Sequence, residues 1–257
     1  MFFHVIDIAL PKKRQDVFAA GGQGQSLLFV SLAIWRLSLR DFFWRHAEWW
    51  PLALSALAWC YLAFSWSNPP AHHHRFQLGP VVVHWAAMMV AMMLPLMAGH
   101  VSLVARRSLW HRRHRAAAIF VAAYLFVWLL YGLVVSEVFE RGMRPNLVNC
   151  LLAAAYWQTT PFKRSALLAC HRTLPLAPSG WEADRDCVRY GWTVAGSCLL
   201  SCWLLMLACA ADHSASLDVG LAAFLLRERI VVRLHHQHEF AVALLMIVLF
   251  LAARPFW

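Results

Sequence analysis

Charge is what this sequence has least of. Asp, Glu, Lys and Arg make up 14% of its 257 residues, against about a quarter in soluble domains. Acidic residues are the scarcer sign, 13 against 23 Lys and Arg, leaving a formal charge of +10. There is no glycine-rich linker, no second composition regime and no internal repeat, so disordered, multi-domain and inverted-repeat transporter architectures find no support. No CxxC pair occurs, so a zinc ribbon or thioredoxin-like site has no basis. HExxH, GxSxG and phosphate-binding glycine loops are missing as well, and the chain is expected not to be an enzyme. What is abundant is apolar surface, with 61% hydrophobic residues and a mean hydropathy of +0.54. The expectation is an all-α, polytopic transmembrane bundle.

A crossing takes about 20 apolar residues, and lipid cannot satisfy an exposed backbone, so the spans should be helices. Seven candidates run over Pro51–Trp66, Pro80–Val104, Ala116–Phe139, Leu147–Thr160, Gly191–Ala211, Leu217–Leu226 with its continuation, and Phe240–Ala253. The second, third and fifth are long; the fourth, sixth and seventh are short enough to be tilted or broken, so six or seven spans are expected. Residues 1–48 read as a cytoplasmic or interfacial segment, with Leu27–Trp35 interfacial, and 49–257 as one transmembrane domain. The start, MFFHVIDIALPKKRQDVF, is a poor secretory signal because its basic cluster follows its apolar residues. The loop after the fourth span has room for a short amphipathic helix.

With the N-terminus placed in the cytoplasm, nineteen of the 23 Lys and Arg fall in inner segments. Only Arg75, Arg141, Arg144 and Arg254 fall outside. That asymmetry fits the positive-inside rule, so the basic balance is topological and no nucleic-acid partner is needed. The expected location is the inner, cytoplasmic membrane, crossed several times, with the lipid bilayer as the first partner.

Sulfur donors stand out within the spans. Met89, Met93 and Met97 recur every four residues on the second span, and Met88 and Met92 do the same beside them, forming a stripe. Pro95 removes a backbone hydrogen bond one turn earlier. Cys198 and Cys202, with Met206 and Cys209 beyond, share one face of the fifth span. Methionine and free cysteine also serve as ordinary packing residues. Counted from the inner edge, Met93 and Cys202 lie roughly 20 and 17 Å deep, and Met97 and Cys198 match at roughly 14 and 10 Å. Thiolates and thioethers together favour Cu(I) over Mg, Ca or Mn.

These segments resemble a known family. His84-Trp85 through Pro95 resembles the MW-x-x-MM-x-AMMLP stretch of the predicted metal-binding integral-membrane family. That family is a domain of unknown function whose members are also described as copper chaperones. Tyr124 to Trp128 resembles its GYLLVW, and Trp157-Gln158-Thr159-Thr160-Pro161-Phe162-Lys163 its YQLTPLK. Arg189 through Cys198, Cys202, Trp203, Leu205 and Met206 resembles its R-x-G…C-x-GCCW-x-LM span, and Glu228-Arg229 stands where Glu-Lys is usual. This chain is a divergent member by that likeness. Ala166 takes the place of the first cysteine after the TPLK-like motif, leaving Cys170, and Leu200-Ser201 replaces Gly-Cys. Ala215-Ser216 replaces Met-Asn, and His84 replaces a methionine.

The resemblance implies Cu(I) held by Met88, Met89, Met92, Met93, Cys170, Cys198 and Cys202 for delivery to a cuproenzyme client. The thinned donor set leaves an alternative open: an accessory or structural subunit of a larger membrane complex, with no cofactor. Other features read as ordinary. The tracts His72–His74 and His235–His238 need no ligand role. Asp212, His213 and Asp218 read as a solvated outer turn, and Glu228 with its arginine neighbours as an inner-edge cap.

Overall fold

A computed structural model describes residues 42–68, 78–143, 145–212 and 214–231. Segments Leu27–Trp35 and Phe240–Ala253, both histidine tracts and His213 lie outside the described residues. Residues 42–45 form one helical turn in a unit of their own. The unit that begins at His46 contains seven α-helices among the described residues and no strand. They are α1 (Trp49–Ser67), α2 (Leu78–Arg107), α3 (Arg113–Glu140), α4 (Leu147–Gln158), α5 (Pro161–Ala169), α6 (Gly180–Ala211) and α7 (Ala215–Val231).

The all-α expectation holds. Three stretches are long and apolar enough to cross a membrane: Val82–Arg107, Trp110–Glu140 and Gly180–Ala211. They carry the three long spans read from the sequence. On α1, α3 and α6, Leu57, Phe64, Phe126, Val134 and Leu200 point outward and are exposed, as side chains that meet lipid tails would be. Of the other candidates, those that fall on described residues are not among these three. Tryptophan, tyrosine and serine dilute the apolar character of α1. With 12 residues, α4 is roughly 18 Å long against a hydrocarbon core of about 30 Å.

Local chemistry explains the breaks. Asn146 caps α4, its side chain accepting from the Val148 N–H at 2.9 Å. Thr160 caps α5, accepting from the Lys163 N–H at 3.3 Å. Pro161 follows at the first helical position, where a missing N–H costs nothing. The fourth candidate span therefore ends in a kinked pair, α4 then α5, and α5 is the amphipathic helix anticipated in the loop. Its buried residues Lys163, Ala166, Leu167 and Cys170 follow the i, i+3, i+4, i+7 pattern of one helical face.

Helix α6 starts at Gly180, eleven residues before the expected Gly191. The charges between them read as a loop in the sequence, but two of the carboxylates find partners. Arg112 and Arg115, at the start of α3, both donate to Asp184. The Asp186 carboxylate accepts from the Ala177 N–H at 3.1 Å. Acidic groups in the first turns also suit the positive end of the helix dipole.

The bundle is assembled around α3, which packs along both α2 and α6. Its approach to each depends on an absent Cβ. A Cβ on Gly132 would lie 1.9 Å from the Trp85 indole of α2. One on Gly191 of α6 would lie 2.7 Å from the Phe120 carbonyl and 2.8 Å from the Ala123 Cβ. Helix α1 docks on α2 differently. Pro95 has no N–H, so the Ala91 carbonyl one turn earlier has no helical donor. Ser55 Oγ and Trp59 Nε1 of α1 supply donors at 2.8 and 3.1 Å.

Because Gly191 sits against backbone that cannot move aside cheaply, Gly191→Ala is expected to cost about 1–3 kcal/mol, the usual penalty for overpacking. Gly99→Ala, with nothing within 4 Å, is expected to be neutral. Thermal unfolding of the two variants in detergent checks the difference.

Candidate metal centre

Cysteines from two elements meet in the core. Cys198 and Cys202 lie one turn apart on α6 with their sulfurs 3.9 Å from each other. Cys170, at the C-cap of α5, reaches the same place, and its thiol hydrogen-bonds Cys198. Tyr124 of α3 donates its hydroxyl to the Cys198 Sγ at 3.1 Å. Cys170 and Tyr124 thus both converge on the Cys198 sulfur, which stands at the centre of the group. The bond to Cys198, and after it burial, holds the Cys170 thiol well above the ordinary thiol range.

Helical geometry accounts for the arrangement. A spacing of four puts Cys198 and Cys202 on one face of α6. The Thr160-Pro161 start sets the phase of α5 so that Lys163 and Cys170, seven residues apart, both point inward. Ala166, where the resembling family has a cysteine, lies on that same buried face.

All seven sequence-derived candidates, Met88, Met89, Met92, Met93, Cys170, Cys198 and Cys202, belong to one continuous core, none more than 4% exposed. Helices α2 and α6 both pack along α3 and make little direct backbone contact with each other. One side-chain contact between them is that of His100 Nδ1 with the Tyr190 hydroxyl, 2.7 Å apart.

Charges surround the thiols, and most of them were not read from the sequence. Lys163 Nζ and Glu228 Oε2 form an ion pair at 3.0 Å, with the two residues 1% and 4% exposed. Glu228 is thus a buried partner and not an inner-edge cap, because α7 continues past it to Val231. Next to it, the Arg229 guanidinium interacts with Cys198, Cys170, Tyr124 and Cys202, and its Nη2 has no hydrogen-bond partner. The His100 ring also hydrogen-bonds the Cys170 backbone. A lysine and a glutamate bordering apolar stretches were the available signal, since buried charges of opposite sign must pair. Nothing in local sequence assigned Arg229 to the thiols. Asp218 departs from expectation too: it is fully buried, not part of a solvated turn.

Among the described residues, no three His, Cys, Asp or Glu side chains stand in the arrangement that holds a metal ion. The cysteines are hydrogen-bonded to one another, and thioethers supply the other soft donors of this core. Breaking the ion pair tests how firmly α5 and α7 are locked around it. Lys163→Met alone is expected to cost about 3–5 kcal/mol by stranding the Glu228 charge, and adding Glu228→Met to restore most of that. A thermal melt of both variants reads the effect.

Comparison with known proteins agrees with the chemistry of this core. No curated protein and no solved structure matches the chain. The sequence pattern of one family, described as PpoB2, copper chaperone, matches residues 82–253. That stretch takes in α3, α4, α5, α6 and α7 and the methionine stripe of α2, about two thirds of the chain, and with it the protein belongs to the PpoB2 copper chaperone family and has a copper-related role.

Proposed function

We propose that this protein holds Cu(I) as cargo at the buried sulfur centre and passes it to a cuproenzyme maturing outside the cytoplasm. The observation that carries the reading is the meeting of Cys170, Cys198 and Cys202 in one hydrogen-bonded group. These cysteines share a core with the α2 methionines. Sulfur ligands in a site shut off from water select Cu(I) over hard cations. Two thiolates and one Cu(I) carry a net negative charge, and burying it is costly unless a cation stands by. Arg229 is that cation. Lys163 and Glu228 neutralise each other and add no net charge. The remaining candidate helices complete a bundle of six or seven crossings with the N-terminus in the cytoplasm of the inner membrane.

The test is anaerobic Cu(I) titration of the purified protein against a competing chromophoric chelator. The Cys198→Ser/Cys202→Ser variant is expected to bind at least a hundredfold more weakly. Ala166→Cys adds a donor on the buried face of α5 and is expected to tighten binding. Equal, negligible copper in the wild type and the serine variant defeats the reading.

One observation favours a second reading. Ala166 and Leu200-Ser201 leave positions without the sulfur of the resembling family, so the scaffold persists with fewer donors. A chain that co-purifies from native membranes in a larger complex, free of copper, supports an accessory or structural subunit instead.

A further inference from the structure

The α6 sulfur row does not stop at Cys202. Met206 lies one turn beyond it and Cys209 three residues further, and both are fully buried. Their spacing keeps them on the face that carries Cys198 and Cys202. Facing Cys209 from α7 is Asp218, which is 0% exposed. Both oxygens of its carboxylate are buried, and the Cys209 thiol is a donor beside them. One weak thiol donor leaves a buried carboxylate poorly satisfied, and such a group calls for a cation or a proton. The acidic neighbour is Asp212, which worsens the imbalance. A monovalent soft cation resolves it: Cu(I) takes the Cys209 thiolate and the Met206 thioether as ligands, and Asp218 takes up the thiol proton, so the loaded site is neutral.

We propose that Met206, Cys209 and Asp218 form a second Cu(I) station at the far end of α6, and that the sulfur row between is the path joining it to Cys198 and Cys202. The two ends are eleven residues apart, roughly 16 Å along the helix. Cys202 and Met206 are intermediate donors about one turn from their neighbours, so the ion always has a sulfur within reach. The inference rests on the proposed copper-holding role but adds a site the first cysteine group does not contain.

The experiment uses the full-length protein in detergent, titrated anaerobically with Cu(I) against a chromophoric chelator, together with thermal melts. Wild type is expected to bind two equivalents. Asp218→Asn, which keeps size and removes charge, is expected to bind one, and its copper-induced rise in melting temperature should shrink. Cys198→Ser/Cys202→Ser is expected to keep the other equivalent. Met206→Leu, which removes a ligand of the second station, is expected to hold its second equivalent more weakly and to release copper from the first site to the chelator several-fold more slowly. A wild type holding one equivalent that Asp218→Asn retains and the double serine variant loses overturns the second station and leaves the first reading standing. Two equivalents retained by Asp218→Asn overturn it equally. No Cu(I) in any form overturns both, and unaltered release from Met206→Leu removes the path.

Discussion

The closeness of α3 to its two neighbours governs everything else in this bundle. Helices pack at distances set by the side chains between them, and here glycine minimises what lies between. Gly132 lets the Trp85 indole lie against α3, where its Nε1 donates to the Trp128 carbonyl at 3.3 Å. Gly191 lets α6 come down onto the Phe120 turn. With α6 at that distance, Tyr124 reaches Cys198, and Tyr131 reaches the Trp203 carbonyl at 2.9 Å. A wider crossing would leave the Tyr124 hydroxyl without its buried partner. Helix α3 therefore brings no sulfur ligand of its own but sets the position of the helix that does.

Around that axis, the polar residues of the core are used sparingly and in pairs. Lys163 with Glu228 ties the short α5 to α7, and His100 with Tyr190 ties α2 to α6. In an apolar medium a lone charge is expensive whereas a matched pair is tolerated and directional. Such pairs orient helices more than they stabilise them. The orientation matters because α5 is only nine residues long and carries Cys170 at its end. Without the Lys163 anchor, little would hold that cysteine against Cys198.

The legibility of the chain follows the range of the interactions involved. The long helices and the two sulfur stripes could be read, because hydropathy and a spacing of four are local properties. The break at Thr160-Pro161 could be read as well, from capping chemistry alone. What escaped was set by contacts distant in sequence. The first turns of α6 read as a loop in the sequence, and the partners of Asp184, Arg112 and Arg115, come from the start of α3. Glu228 reads as a cap, and its partner Lys163 lies 65 positions away. Membership of a copper chaperone family bears on the role of the core, while its ligands are assigned here by chemistry.

Pro95 has a consequence beyond the bond it removes. The carbonyl it leaves behind is satisfied by donors that belong to α1, so the hydrogen bonding of the methionine-bearing helix is completed by a different part of the chain. The hydrogen bonding beneath the stripe is thus a joint property of two segments, and whatever loosens the seat of α1 strips a buried carbonyl of its donors in the middle of the thioethers.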